Sequence, residues 1–297
     1  MSSIQSAGRA LLDRLDARAV PDSLSRCWLA LPPQAAAEWV WRVRRDRVDI
    51  VPWLDRTRPL RGASVVEVGA GRGASTFALC EQGAQVTAYD LDQPGLDEAA
   101  AHLGAAGLAA DLRCENATAL ADLALATLDW VMFWASLEHM VHTERIAAIR
   151  GAWAALRPGG LLTVVETPNR LWPHDSHTSQ LPFYNWLPDD LAFDSARFSG
   201  RPGFGGTHYS RPAEEMLVFR RRGRGVSVHE FRLALDGQPA DVVSCMQLDR
   251  RRRNPLRRLA WAVGAPGRTV RCLQRYEPGL HAAWLQPFLY LTLRKPS

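Results

Sequence analysis

Short apolar runs alternate with longer helical patterns between residues 61 and 168 of this 297-residue chain. Runs rich in β-branched and other apolar residues predict strands over residues 64–68, 85–90, 108–114, 129–133 and 161–167. Apolar or alanine-rich stretches at helical spacing predict helices over residues 74–82, 94–106 and 143–156. Strands that alternate with helices are typical of βαβ units, so the pattern predicts an α/β fold around a mostly parallel sheet.

The pattern changes before this region. Residues 1–60 carry apolar positions at helical spacing, with a break at Pro32 and Pro33, and they predict a helical N-terminal cap. The main domain is expected to follow over residues 61–297. Tryptophans such as Trp39 could cover a cofactor or substrate cleft, although packing of the cap helices onto the main domain is the favoured explanation, since large aromatic side chains mostly serve burial.

After residue 168 the pattern loosens. A polar, proline-marked loop is followed by a glycine-rich stretch over residues 199–210, which predicts a mobile lid. Residues 211–222 predict a helix, and residues 226–233 and 289–294 predict the strands that close the sheet. An arginine-rich segment over residues 249–284 predicts a helical insertion, expected to serve as a lid or a dimer surface.

Three glycines at alternate positions follow the first predicted strand: Gly69, Gly71 and Gly73. A strand, a glycine-rich turn and a helix bring backbone N–H groups close to a ligand at a helix N-terminus, which predicts a nucleotide-type cofactor site. The spacing also fits the dinucleotide fingerprint, so glycines alone do not name the cofactor. Glu67 could reach a ligand ammonium group and Asp90 could accept both hydroxyls of a ribose. An amino acid joined to adenosine has both an ammonium group that Glu67 could bind and ribose hydroxyls that Asp90 could bind.

With these acids and glycines, the stretch Val65-Val-Glu-Val-Gly-Ala-Gly-Arg-Gly73 resembles the first motif of the class I S-adenosylmethionine-dependent methyltransferases. The resemblance covers roughly residues 60–168. The segment over residues 128–140 is similar to the family's fourth strand with its acid–histidine pair, and residues 156–160 are similar to its turn before strand five. Asn116 stands where the family often has an aspartate that contacts adenine.

This resemblance implies a Rossmann-like sheet, mostly parallel with an antiparallel closing strand. It also implies S-adenosylmethionine as cofactor and S-adenosylhomocysteine as product. The cofactor-binding residues that it implies, together with neighbours at the strand ends, are Glu67, Gly69, Ala70, Gly71, Gly73, Asp90, Leu91, Asn116, Ala117 and Trp134.

The loop after the fifth predicted strand carries the candidates for catalysis: His174, Asp175 and His177. A histidine oriented by a carboxylate can deprotonate a hydroxyl near neutral pH. Alternatively these residues only shape the loop or bind substrate. No metal is expected, because no third protein ligand stands near the two histidines in the sequence. Residues expected to contact the acceptor are His139, Asn169, Arg170, Trp172 and Tyr184.

Composition adds limits. The net charge of +5 comes mostly from clustered arginines, which leaves a nucleic-acid partner as a minor alternative. Five scattered cysteines predict reduced thiols. The sequence contains no signal-peptide core and no run of about 18 apolar residues, so we expect a cytoplasmic protein without a membrane partner. A homodimer is a possible oligomeric state.

The sequence therefore predicts a methyltransferase that acts on a small molecule, in secondary or specialised metabolism, at an unresolved O, N, S or C atom. Three alternatives stay open. They are an RNA or protein methyltransferase, an NAD(P)-dependent oxidoreductase, and a non-catalytic partner subunit that binds the cofactor. The hypothesis of an oxidoreductase gives Glu67 no role. The hypothesis of a non-catalytic partner subunit predicts a damaged cofactor motif, whereas the motif in this chain is intact.

Overall fold

The computed structural model describes residues 33–201, 204 and 213–297. The chain divides after Ala117 into two compact units. The helical pattern in the first 32 residues and most of the expected lid over residues 199–210 lie outside the described residues. The expected boundary at residue 60, between a cap and the main domain, stays a prediction.

The first unit contains three parallel strands. β1 (Ser64–Val68) pairs with β2 (Gln85–Asp90), and β2 pairs with β3 (Asp111–Cys114). Its helical segments are Pro33–Arg45, a π-helical turn Asp46–Ile50, Val51–Thr57, Ala74–Glu81 and Gln93–Ala105. Four of the five β1 residues are buried, which explains why this strand is an apolar, valine-rich run. β3 is shorter than predicted, because Leu108 N–H still closes the preceding helix on Leu103 O at 2.9 Å.

The second unit contains the other four strands. β4 (Leu128–Trp134) and β5 (Leu156–Pro168) are parallel, whereas β7 (Phe288–Arg294) runs antiparallel to β5 and β6 (Asp241–Cys245) runs antiparallel to β7. Its α-helices are His142–Ala155, Asp189–Ser195, Ala213–Arg221, Val228–Ala234, Met246–Arg253, Pro255–Val263 and Ala265–Tyr276. Single 3-10 turns lie at Ala117–Asp122, Leu137–His139, Tyr184–Trp186, Ala196–Phe198 and Ala282–Leu285.

The seven strands form one sheet in the order β3-β2-β1-β4-β5-β7-β6. This is the mostly parallel α/β sheet with an antiparallel closing strand that the sequence predicted. Along the described residues, no helix is both long enough and apolar enough to cross a membrane.

Two predictions were wrong, one in the region that closes the sheet and one at the start of β5. Residues 226–233 are not a strand, since Val228–Ala234 is a helix that begins with a capping box between Ser227 and Glu230. The strand at the edge beside β7 is instead β6, which the sequence analysis missed. Residues 157–160, expected as a turn, lie within β5 at a register shift opposite Leu128 and Trp130 of β4.

Candidate functional site

The glycine loop of the first unit has the backbone that its sequence predicted. Gly69, Gly71 and Gly73 have φ values of 96°, 50° and 78°, a region that favours glycine. A Cβ on Gly73 would lie 2.6 Å from Ala99 Cβ, so this glycine lets the loop pack against the helix Gln93–Ala105. A Cβ on Gly71 would meet nothing within 4 Å. Gly71 therefore leaves an open side of the loop on which a ligand can approach the backbone.

Asp90 ties this loop to the carboxyl end of β2. Its Oδ2 accepts a hydrogen bond from Gly71 N–H at 2.7 Å, and its Oδ1 accepts one from Asp92 N–H at 3.0 Å. Gly69 N–H donates to Tyr89 O at 2.9 Å. Leu91, the next residue, is 60% exposed although it is apolar. A half-buried carboxylate beside an exposed leucine suits the hydroxyls of a ribose and the face of a base.

Glu67 lies fully buried in β1. Both carboxylate oxygens accept hydrogen bonds from hydroxyls in the first turn of the helix Ala74–Glu81, one from Ser75 and one from Thr76 Oγ1 at 2.7 Å. The pKa of Glu67 is raised to about 7, because the effect of burial is larger than the opposite effect of the hydrogen bonds from the two hydroxyls. Glu67 therefore links strand β1 to the helix that follows the glycine loop, and its carboxylate is not exposed to solvent.

Two side chains support the glycine loop through one of its carbonyls: Trp39, which the sequence analysis considered only as a packing residue or a cover of a cleft, and His102, which it did not consider. Trp39 Nε1–H donates to Arg72 O at 3.0 Å, and His102 Nδ1 is 3.2 Å from the same carbonyl. The two rings stack with centroids 4.1 Å apart. Nothing in the spacing of Trp39, more than thirty residues before the loop, signals this role.

The remaining predicted cofactor residues are spread over both units. In the first unit, Ala70 is buried in the loop, and Asn116 and Ala117 follow β3, with Asn116 half-buried and Ala117 buried. In the second unit, Trp134 ends β4 and is buried.

A polar cluster lies beyond the carboxyl ends of β4 and β5 in the second unit. We define it as Glu138, His139 and His177. Glu138 is fully buried; its Oε2 accepts a hydrogen bond from Thr167 Oγ1 at 3.1 Å, and its Oε1 has no hydrogen-bond partner. That oxygen lies 3.8 Å from Nε2 of His177. Burial raises the pKa of Glu138 and lowers the pKa of His177.

The turn that carries Glu138 and His139 is held by Arg145. This buried guanidinium donates to Leu137 O at 2.9 Å and to Met140 O at 3.1 Å, and it pairs with Glu230 at 2.5 Å. His139 Nδ1 contacts Arg221 O at 2.8 Å. The sequence favours a role for Glu138 in capping the following helix, whereas its buried side chain lies in the cluster.

Strained backbone flanks the cluster. Ala135 and Glu166 have φ values of 45° and 61°, uncommon for residues with a Cβ. Ala135 follows β4, and Glu166 lies at a register shift in β5 between Val164 and Thr167. Such conformations concentrate at functional sites.

The loop histidines separate into different environments. His177 belongs to the polar cluster, whereas His174 is exposed and bridges to Pro182. Asp175 is buried and its carboxylate accepts hydrogen bonds from the N–H groups of His177, Thr178 and Ser179 and from Ser179 Oγ. Asp175 thus shapes the loop, and the carboxylate that faces the His177 ring is that of Glu138.

The other predicted acceptor contacts are largely engaged within the protein. Asn169 is buried and its side-chain amide donates to Trp284 O and Gln286 O, at 2.7 and 2.8 Å. Tyr184 is buried in an aromatic cluster, under the guanidinium of Arg224 at 4.8 Å. Arg170 and Trp172 are half-buried beside Asn169 in the chain.

The strand order and the glycine loop together form the Rossmann-like arrangement that the sequence analysis expected. Residues 65–160 match a family model described as a methyltransferase domain. This match confirms the resemblance for residues 65–160, which are similar to a methyltransferase domain.

Known relatives match parts of the chain. A ubiquinone biosynthesis O-methyltransferase of Stutzerimonas stutzeri is 34% identical over 110 residues, which cover 37% of this chain and 47% of that protein. A cypemycin N-terminal methyltransferase of Streptomyces is 33% identical over 114 residues, covering 37% and 44%. The chain thus spans less than half the length of these two relatives. A solved SAM-dependent methyltransferase from Methanosarcina mazei aligns at a TM-score of 0.46 with 18% identity, over 66% of this chain and 87% of that one.

Proposed function

We propose that this chain transfers a methyl group from S-adenosylmethionine to a small-molecule acceptor and releases S-adenosylhomocysteine. The observation that carries the proposal is the glycine loop: three glycines at positive φ, with Gly71 N–H held 2.7 Å from the Asp90 carboxylate. The match of residues 65–160 to a methyltransferase domain supports it. The relative whose name describes a ubiquinone biosynthesis O-methyltransferase supports a small molecule as the acceptor.

The residues present fit such a cofactor. A carboxylate offers about four lone-pair positions, and Asp90 spends two of them on backbone N–H groups, so two remain for ribose hydroxyls. Leu91 offers an exposed apolar surface to the adenine. Glu67 acts as a positioning residue through Ser75 and Thr76, since its own oxygens are buried.

The sulfonium of the cofactor supplies the reactive carbon, so the protein is left to bind, orient and dehydrate the acceptor. We propose that the acceptor binds at the polar cluster. Of the two loop histidines, His177 is the one that we assign to the acceptor, because Glu138 Oε1 lies 3.8 Å from its Nε2. Asp175 then serves to hold the loop, and His174 stays outside the cluster.

An amine at a peptide N-terminus is a second candidate acceptor. It is supported by the relative whose name describes an N-terminal methyltransferase. The other relative is an O-methyltransferase, which supports a hydroxyl.

Calorimetry with S-adenosylhomocysteine, with NAD⁺ as the matched comparison, tests the cofactor. We expect S-adenosylhomocysteine to bind with a micromolar dissociation constant or lower, about −8 kcal/mol, and NAD⁺ not to bind. Binding of NAD⁺ alone would refute the proposal. Incubation with methyl-labelled S-adenosylmethionine and sets of phenols, amines and short peptides, read by mass spectrometry, then identifies the acceptor class.

A further inference from the structure

One carboxylate oxygen in the polar cluster accepts no hydrogen bond. Glu138 is 0% exposed, and Oε1 accepts no hydrogen bond although Oε2 accepts one from Thr167. A buried, unpaired carboxylate oxygen costs folding free energy, on the order of 1–3 kcal/mol or more. A native site that keeps such an atom is explained most simply by a partner that binds there.

His177 faces that oxygen, and His139 lies beside the two. His177 Nδ1 is 3.0 Å from Thr178 Oγ1, which leaves Nε2 to face Glu138 Oε1 at 3.8 Å. His139 Nδ1 donates to Arg221 O at 2.8 Å, which leaves its Nε2 free to bind. A histidine that ligates a metal usually gives its second ring nitrogen to a carbonyl or another oxygen in this way, which fixes the ring and its tautomer.

The spacing of the three donor atoms fits one ion. One nitrogen from each histidine and one oxygen of Glu138 lie within 4.8 Å of one another. Bonds of about 2.0–2.1 Å in a tetrahedral site separate ligand atoms by roughly 3.4 Å, so small side-chain rotations close the cluster onto a metal. Among the residues that the structure describes, no other three His, Cys, Asp or Glu side chains come this close.

We propose that Glu138, His139 and His177 bind one divalent transition-metal ion of the Zn²⁺ type. Two imidazoles and one carboxylate suit zinc and its first-row neighbours, and three protein ligands leave a coordination position open. Thr167 and Arg221 support the site as the hydrogen-bond partners of Glu138 and His139. The proposal differs from the expectation of the sequence analysis, which foresaw no metal because no third ligand stood near His174 and His177 in the sequence. If the proposed function also holds, the open position takes an oxygen of the acceptor.

The binding of Zn²⁺ and Co²⁺ to the tag-free, EDTA-treated full chain tests the site without any methyl donor. We expect one Zn²⁺ per chain by calorimetry, with a dissociation constant at or below micromolar, and a Co²⁺ absorption spectrum of four- or five-coordinate type. Glu138→Gln and His177→Gln should each weaken Zn²⁺ binding by at least about 100-fold. Thr167→Val should weaken it by about 10-fold, as loss of a supporting hydrogen bond does.

His142→Gln is the matched control. His142 lies three positions from His139 and its Nδ1 is 3.2 Å from Glu230, so it is also a histidine beside a carboxylate, but without a third ligand. Its loss should leave Zn²⁺ affinity unchanged. Because a variant could fail to fold, protection of His139 and His177 in the wild-type chain from diethyl pyrocarbonate by one equivalent of Zn²⁺ provides a second measurement.

The proposal would be overturned if the wild-type chain showed no saturable Zn²⁺ binding. It would also be overturned if Glu138→Gln and His177→Gln bound Zn²⁺ as tightly as the wild type, or if His142→Gln lost Zn²⁺ binding. So would modification of His139 and His177 at the same rate with and without Zn²⁺. Binding of S-adenosylhomocysteine is measured on the same samples. A chain that binds Zn²⁺ but no S-adenosylhomocysteine would support the metal site and refute the methyltransferase proposal. A chain that binds S-adenosylhomocysteine but no Zn²⁺ would support the methyltransferase proposal and refute the metal site.

Discussion

The two buried carboxyls of this protein, Glu67 in the first unit and Glu138 in the second, have opposite surroundings. Both are fully buried, and burial raises both pKa values. Glu67 accepts hydrogen bonds on both oxygens, from Ser75 and Thr76, whereas Glu138 leaves Oε1 without one. The first carboxyl is therefore part of the scaffold. The second has an oxygen that accepts no hydrogen bond from the protein, and this is the oxygen that we propose binds the metal.

The two regions also differ in how the backbone takes part. In the glycine loop the backbone itself is presented, through positive φ values and an open side at Gly71. In the polar cluster the side chains are the groups available to a ligand. The backbone accepts hydrogen bonds that fix the imidazole rings, as Arg221 O does for His139. Changes to the loop should therefore act mainly through backbone shape, and changes to the cluster through lost donors.

The largest effect is expected at Gly73. Gly73→Ala places a Cβ 2.6 Å from Ala99 Cβ and also holds an alanine at φ 78°, so we expect the free energy of unfolding to fall by about 2–4 kcal/mol. S-adenosylhomocysteine binding should be lost as the loop shifts. Urea unfolding and calorimetry measure the two changes.

Gly62→Ala is the control for Gly73→Ala. Gly62 has φ 75°, yet a Cβ there meets nothing within 4 Å. It should cost only the conformational part, about 1 kcal/mol, and leave cofactor binding intact. Equal losses in the two variants would mean that contact with Ala99 does not constrain the loop.

The next effect concerns the pH dependence of stability. The pKa of Glu67 is raised from 4.5 to about 7 in the folded chain, so the unfolded chain releases this proton at lower pH. Glu67 therefore makes stability fall as pH rises from about 4.5 to 7, by up to about 3 kcal/mol, and adds no further change above that. In Glu67→Gln this fall should be absent. Chemical unfolding of both proteins between pH 4.5 and 8 checks it, and a pH-independent difference between them would contradict the assignment.

Local patterns made the first unit predictable. Strand β1, the three glycines and the acid Glu67 all lie within ten residues, and Asp90 closes the next strand. Each of these signals reflects geometry that a short stretch of chain imposes by itself. The position of these groups could therefore be predicted without knowing what packs around them.

The polar cluster could not be predicted in the same way. Glu138 and His177 are 39 residues apart, and the two meet only because β5 returns the chain to the same edge. Residues 226–233 were misassigned because their valines suggested a strand. A signal for the helix was present, since Ser227 N–H donates to Glu230 at 2.8 Å in the S-x-x-E capping pattern. Sequence alone also placed Asp175 beside the His177 ring, whereas its oxygens bind the loop backbone.

A smaller effect is expected from Asp90. Asp90→Ala removes the acceptor for Gly71 N–H and the ribose contact that we propose, so the affinity for S-adenosylhomocysteine should fall by about 1.5–3 kcal/mol. Asp111→Ala is the control, because that carboxylate lies on the neighbouring strand and pairs with Arg113. Calorimetry compares the two. Unchanged affinity in Asp90→Ala would place the ribose acid elsewhere.

The smallest effect is expected from Trp39, which touches the loop only from behind. Trp39→Phe keeps an aromatic ring against His102 but removes the hydrogen bond from Nε1 to Arg72 O, at 3.0 Å. A neutral hydrogen bond contributes about 1 kcal/mol, so the affinity for S-adenosylhomocysteine should fall by roughly five-fold. Trp41→Phe, two residues along the same helix and 55% exposed, should change nothing. If both variants bind like the wild type, the loop keeps its shape without Trp39, and the glycines and Asp90 alone are sufficient to hold it.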